Sequence, residues 1–90
     1  MNTPIVIFVT WNRLGVTISN LKALLKTEDD FDLYIIDNGS IDGTADYLSS
    51  LKDNRIKEIK ILDKNYGLIY AANYGISKRK KGLYNHITHL

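Results

Sequence analysis

Three short apolar segments alternate with helical patterns along the chain, and this alternation predicts the fold. Segments 4–10 and 33–37 are continuous apolar runs, which is typical of strands buried on both faces of a parallel sheet. Segment 57–62 alternates apolar and charged residues, which indicates a more exposed strand at an edge of the sheet.

Apolar residues at steps of three and four predict a helix after each strand. The first helix begins after Arg13, the second spans about 43–52, and the third spans about 68–80. Small residues on the third helix permit a close approach to the sheet. The predicted inward stripes are Leu14, Ile18, Leu21 and Leu25; Ile41, Ala45 and Leu48; and Leu68, Ala71, Ala72, Gly75 and Ile76.

The order strand, helix, strand, helix, strand, helix predicts a three-layer α/β fold. Right-handed crossovers would give a Rossmann-like parallel sheet of three strands in the spatial order 3-2-1, with helices on its faces. Segment 83–90 is interpreted as a weak tail. Ninety residues suffice for one small domain, so we predict a single domain over 1–90.

Composition and charge exclude several classes of protein. The chain is 44% hydrophobic and 24% charged, with a net charge of +2, which is typical of a globular domain and gives no case for nucleic acid binding. It has no cysteine, and its longest apolar run, 5–9, is far shorter than a membrane span. The basic run 78–81 is interpreted as a solvated helix end. We expect a cytoplasmic, or membrane-peripheral, location.

Asp37 is the first candidate for chemistry, because it ends the second apolar segment where turn-forming residues begin. Ligands of open α/β sheets bind beyond the carboxyl ends of the strands. A carboxylate there can accept hydrogen bonds from a nucleobase or from ribose hydroxyls. The alternative is a loop aspartate that caps its own turn. Ser40 and Asp42 are candidate caps of the second helix.

Three further positions each have a ligand-binding interpretation and a structural alternative. Trp11 follows the first strand, where its ring could stack on a base or cover the small core. Loop 65–67 precedes the third helix, where backbone amides suit a phosphate, although it also fits an ordinary connection. Asn73 lies in mid-helix and faces either a crevice or solvent.

Several catalytic signatures are missing from the sequence. No G-x-G-x-x-G follows the first strand, and no P-loop motif is present. No Ser/His/Asp or Cys/His set is visible either. A dinucleotide-binding fold of the NAD type and a P-loop NTPase are therefore poorly supported.

Three stretches in the same order resemble the nucleotide-sugar domain of family 2 glycosyltransferases. Val9-Thr10-Trp11-Asn12-Arg13 is similar to the T-Y-N-R at the end of that family's first strand, with Trp in place of Tyr. The run from Asp37 to Thr44, D-N-G-S-I-D-G-T, is similar to its D-[DN]-x-S-x-D-G-[ST] signature. The run 65–76 is similar to its N-x-G-x-x-x-A-x-N-x-G-I pattern.

This resemblance implies a transferase that moves a sugar from a nucleotide-diphospho-sugar, with UDP as the expected nucleotide. The bound donor would be the partner of the chain. The residues that would contact it are Thr10, Trp11, Asn12, Asp37, Asn65, Gly67 and Asn73.

The resemblance covers the N-terminal, nucleotide-binding half of that domain. In the family, a fourth strand leads to a D-x-D motif that holds a divalent metal, Mn²⁺ or Mg²⁺, on the diphosphate. Segment 85–90 is not the apolar run expected for that strand, and no residue of this chain is assigned as a catalytic group or metal ligand. We therefore expect an incomplete fold whose isolated chain is inactive.

Two further expectations follow from a missing fourth strand. The outer edge of the first strand would be open, which favours self-association by edge pairing. The alternative to an enzyme fragment is a non-catalytic module that binds a nucleotide or a protein.

Overall fold

The computed structural model describes residues 3–78 and 85–89 and contains one parallel sheet with helices on both faces. The fold class predicted from the sequence, a Rossmann-like α/β arrangement, is confirmed. The strands are β1 (Ile5–Thr10), β2 (Asp32–Asp37), β3 (Ile56–Ile61) and β4 (Asn85–His89). The helices are α1 (Leu14–Lys26), α2 (Thr44–Ser49) and α3 (Leu68–Ile76).

The sheet has the order β3-β2-β1-β4, and all of its pairs are parallel. The predicted order 3-2-1 is present, but the count of three strands was one too few. β4 pairs with β1 in the register Ile5↔Asn85 to Val9↔His89. The predicted open edge of β1 is therefore wrong, and the basis for self-association at that edge is removed.

The core has two halves, one on each face of the sheet. Alternate residues of β1 point to opposite faces. Val6 and Phe8 pack with Leu21 of α1 and Leu48 of α2 on one face. Ile5, Ile7 and Val9 pack with Ala71 of α3 on the other. All six residues of β1 are buried, which agrees with the continuous apolar run in the sequence.

α3 lies close to the sheet because its inward residues are small. Ala71, Ala72 and Gly75 are buried, as the stripe predicted. A Cβ at Gly75 would collide with Cγ2 of Ile7 and lie 3.2 Å from Cδ1 of Ile36. Glycine is therefore required at this crossing of helix and strand.

The second helix is shorter than predicted, and its stripe begins later. α2 spans Thr44–Ser49 rather than 43–52. Ile41, which was placed on the inward stripe, precedes the helix in a loop and is 92% exposed. The inward residues of α2 are Thr44 and Leu48.

Two sequence-based expectations fall at the end of the described chain. The third helix ends at Ile76, before the predicted end at about residue 80. Most of the basic run 78–81 lies outside the described residues. None of the helices within the described ranges combines the length and the apolar character that crossing a bilayer requires.

Candidate functional site

The carboxyl ends of β1, β2 and β3 meet at one edge of the sheet, which we call the carboxyl edge. Thr10 and Asp37 are paired in register at the ends of β1 and β2. The backbone continues this pairing past the strands, because the Asn38 N–H donates to the Thr10 carbonyl at 2.8 Å. The Leu62 N–H donates to the Asp37 carbonyl at 2.8 Å. Three loops therefore leave the sheet side by side.

The carboxylate of Asp37 lies beneath these loops and has no exposed surface. Its Oδ1 accepts hydrogen bonds from the Thr10 hydroxyl at 2.7 Å and from the Ser40 hydroxyl at 2.5 Å. Its Oδ2 accepts from the Ser40 N–H at 2.8 Å. A buried carboxylate needs such donors, because unpaired burial of a charge is costly. Asp37 thus fixes the first turn of the loop after β2.

This arrangement differs from the direct base contact expected of Thr10 and Asp37. Both side chains are fully buried and bonded to each other, so neither presents an atom to solvent. The physical reason is the register of β1 and β2, which sets the hydroxyl beside the carboxylate. The contacts of Asp37 within the chain are those of the alternative interpretation, an aspartate that holds its own turn, and contact with a base stays a prediction.

Trp11 is the large apolar side chain that the first loop exposes at the carboxyl edge. It follows Thr10 directly and is 46% exposed. The next two residues, Asn12 and Arg13, have left-handed backbone angles, φ 51° and 56°. This conformation is uncommon for residues other than glycine and turns the chain sharply into α1.

Asn12 ties this turn to the loop after β2. Its N–H donates to the Ser40 hydroxyl at 2.6 Å, and that hydroxyl in turn donates to Asp37. Its side-chain Oδ1 accepts from the Ile41 N–H at 2.9 Å. Asn12 is therefore half-buried between two loops, and its backbone N–H and its side-chain Oδ1 already have partners within the protein.

The loop after β3 carries two of the predicted residues. Asn65 is exposed, and its Oδ1 accepts from the Gly67 N–H at 2.7 Å. Gly67 is exposed, has φ 90° and precedes α3. Asn73 is exposed on α3, away from its buried face. The predicted site residues that are exposed are thus Trp11, Asn65, Gly67 and Asn73.

Two residues of the D-N-G-S-I-D-G-T run, Asn38 and Ser40, have contacts that sequence reasoning missed. Asn38 is 2% exposed and accepts from the Tyr66 N–H at 3.2 Å while donating to the Gly67 carbonyl. Ser40 links Asn12 to Asp37 rather than capping α2. The motif marked these positions, but the residue types alone do not show which distant atoms they contact.

Asp42 was expected as a cap of α2, and it contacts two helices. Its Oδ1 accepts from the N–H of Thr44 at 3.1 Å and from the Thr44 hydroxyl at 2.5 Å. Its Oδ2 accepts from the N–H of Leu14, the first residue of α1, at 2.9 Å. The Thr44 hydroxyl, followed by the backbone amides, lowers the pKa of Asp42 below its ordinary value, so it is ionised at neutral pH.

The described carboxylates of the carboxyl edge do not come together as a metal site. Asp37 is enclosed, and Asp42 is bonded to both helix ends. Asp63 accepts from the Tyr66 hydroxyl at 2.7 Å, which lowers its pKa. No group of three or more potential ligands occurs within residues 3–78 and 85–89. The residues described thus do not fit the divalent metal implied by the resemblance.

A depression of about 490 Å³ lies at the opposite, amino edge of the sheet and includes Arg55 and Asp53 in its lining. The Arg55 guanidinium is fully engaged there in bracing the end of α1. It donates to the carbonyls of Leu25, Thr27 and Asp29 at 2.7 to 2.9 Å and to Asp53. We therefore assign this depression a structural role rather than a binding one.

The fold and the site together define an α/β protein of Rossmann-like topology, with its candidate site at the carboxyl ends of parallel strands. The model of the family "Glycosyl transferase family 2" matches residues 5–81. The match covers most of the 90 residues, and the chain belongs to this family. Neither the curated proteins nor the solved structures yield a significant match to the chain.

Proposed function

We propose that the chain forms the nucleotide-binding half of a glycosyltransferase domain, which moves a sugar from a nucleotide-diphospho-sugar to an acceptor. UDP is the proposed nucleotide. The observation that carries the proposal is the half-exposed indole of Trp11 at the carboxyl edge, in a chain that belongs to a glycosyltransferase family. An exposed aromatic ring beside polar loops offers a flat surface for a flat heterocycle.

The proposed division of roles follows the exposure of each residue. Trp11 stacks on the base, and Asn65, Gly67 and Asn73 offer polar groups to the ribose, diphosphate or sugar. We assign a supporting role to Thr10, Asn12 and Asp37, because their hydrogen bonds hold the loops that present Trp11. Asp37 thus supports the base-binding surface without contacting the base.

We propose further that the 90-residue chain alone binds nucleotide weakly and transfers no sugar. The family-level metal needs ligands that the described residues do not bring together at the carboxyl edge. The described carboxylates there accept hydrogen bonds from the protein, and we assign none of them as a general base.

The test is a calorimetric titration of the chain with UDP, with and without Mn²⁺. We expect a Kd on the order of 1 mM that is insensitive to the metal. Trp11→Ala should weaken binding by about 5-fold or more, because stacking contributes roughly 1–3 kcal/mol per base. Trp11→Tyr, which keeps an aromatic ring, is the matched control and should stay within about threefold of the native chain.

Two results would contradict the proposal. Equal affinity of the native chain and Trp11→Ala would remove the indole from the site. Strong metal-dependent binding, or sugar transfer by the chain alone, would show that the ligands and base are present after all.

A non-catalytic module that binds a nucleotide or a protein is the second candidate. The first turn of α3 supports it, because Ile69 is 77% exposed and Tyr70 is half-exposed and stacked on Tyr66 at 4.6 Å. Exposed apolar groups of this kind are common at protein contacts. Nucleotide binding without transfer in any longer form of the protein would favour this candidate. A cytoplasmic or membrane-peripheral location suits either one.

A further inference from the structure

The two oxygens of the Asp42 carboxylate contact different helices. Oδ1 holds the start of α2 through Thr44, two residues along the chain. Oδ2 holds the start of α1 through the Leu14 N–H, which is 28 residues away. A local cap explains the first contact but not the second.

The contact with Leu14 adjoins the most unusual backbone in the chain. Asn12 and Arg13 are the described residues other than glycine that have positive φ. Such conformations persist where the surrounding structure fixes them from several sides. The turn is held before Arg13 by Ser40 and Ile41, which bond Asn12, and after it by Asp42 at Leu14.

Trp11 is attached directly to this turn. Thr10 before it belongs to a buried strand, and Asn12 after it begins the left-handed pair. The direction in which the half-exposed indole projects therefore depends on whether the turn keeps its conformation.

We propose that Asp42 is a positioning residue, which bridges the amino ends of α1 and α2 and so holds the Asn12–Arg13 turn that presents Trp11. Its effect on ligands rests on the proposed function, since the ligand that Trp11 would stack on is a nucleotide base. Its effect on the indole itself requires no ligand.

Two substitutions separate the bridge from the local cap. Asp42→Asn keeps the size of the side chain but turns an amide N–H₂ toward one of the two helix amides, which removes one acceptor. Asp42→Ser keeps one short acceptor for the cap of α2 and cannot contact both helices. Asp46→Asn is the matched control, because Asp46 is an exposed carboxylate in the first turn of α2 and carries the same charge.

The measurement uses the single tryptophan, whose indole N–H gives one resonance in a ¹⁵N-labelled chain. We expect the indole order parameter to fall toward about 0.6 in both Asp42 variants, a value typical of flexible groups. We expect UDP affinity to fall by about 10-fold in the same variants, because stacking requires a fixed ring. Asp46→Asn should match the native chain in both readouts.

The outcomes distinguish this inference from the proposed function. A native indole order parameter in Asp42→Asn and Asp42→Ser, even with a lowered Tm, would reduce Asp42 to a helix cap and overturn the inference. If the native chain does not bind UDP, the proposed function fails, while the indole dynamics still decide the positioning role. If Asp42→Asn does not fold, Asp42→Ser supplies the test.

Discussion

The side-chain amide of Asn38 donates a hydrogen bond to the carbonyl oxygen of Gly67, at 3.2 Å. Its own carbonyl oxygen accepts from the Tyr66 N–H at the same distance. One buried side chain thus uses both its donor and its acceptor to hold the loop that precedes α3. The loops after β2 and β3 are joined at this point, as those after β1 and β2 are joined by Ser40 and Asp42.

Asn38→Asp should destabilise the chain, although aspartate has the same shape. A carboxylate has no donor for the Gly67 carbonyl, and it would place two acceptors face to face in a buried position. We expect a loss of about 1–3 kcal/mol in the free energy of unfolding, measured with urea at pH 7.

Asn20→Asp is the matched control, because Asn20 is exposed on α1. Its effect should stay within about 0.5 kcal/mol, which is usual for surface positions. Equal effects of the two substitutions would mean that the link between Asn38 and Gly67 contributes nothing to the fold.

Gly75→Ala should destabilise the chain even though alanine favours helices by about 1 kcal/mol. The added methyl group would enter the space of Ile7 in the buried sheet. Overpacking of a core costs typically about 1–3 kcal/mol, so we expect a net loss of up to about 2 kcal/mol. Thermal unfolding followed by circular dichroism measures it.

Gly15→Ala makes the same exchange in α1, where no atom lies within 4 Å of the added group. This variant should gain about 0.5–1 kcal/mol. If Gly75→Ala raised the free energy of unfolding by as much as Gly15→Ala, α3 would not lie as close to the sheet as described.

The ion pair between Arg55 and Asp53 should contribute to the free energy of unfolding by an amount that depends on pH. Hydrogen bonding to the Arg55 side chain, with further help from its backbone N–H, lowers the pKa of Asp53 from 3.8 to about 2. Because the folded-state pKa is the lower one, the contribution is present above pH 4. It is lost as the pH falls from about 4 through 2.

Asp53→Asn should therefore lower the free energy of unfolding by about 1–2 kcal/mol at pH 7, since the partly exposed pair is weakened by solvent. In urea titrations, the difference in free energy of unfolding between Asp53→Asn and the native chain should shrink as the pH is lowered from 4 to 2. Asp46→Asn, which removes an exposed carboxylate, serves as the control, and its free energy of unfolding at pH 7 should stay within about 0.5 kcal/mol of the native value. If the free energies of unfolding of Asp53→Asn and the native chain differ by the same amount from pH 2 to pH 7, the ion pair is not the cause of the difference.

The strands predicted from the sequence were those with a recognisable apolar pattern, including the alternating segment 57–62, which forms most of β3. β1 and β2 are continuous apolar runs and lie in the centre of the sheet. β4 was missed because the sequence Asn85–His89 is mostly polar and lacks the apolar run expected of a strand, although its backbone pairs with β1. Ile41 was misplaced because a helical stripe was extended past the point where α2 begins.

The sequence predicted where the candidate site lies, but not which atoms its residues contact. The motifs indicated the carboxyl ends of the strands, where Trp11 is exposed. They did not reveal that Asp37 faces inward, because its direction depends on the hydroxyl of Thr10, which is 27 residues away. The bridge made by Asp42 was missed for the same reason, since the Leu14 amide belongs to another helix.

The most direct test of nucleotide binding at the carboxyl edge is a ¹⁵N–¹H correlation titration of the chain with UDP. We expect the resonances of the Trp11 indole and of the Asn65 and Gly67 amides to shift most and to saturate together. Largest shifts at the amino edge, around Asp53 and Arg55, would contradict it, as would no shift of the indole at 10 mM UDP, about ten times the expected Kd.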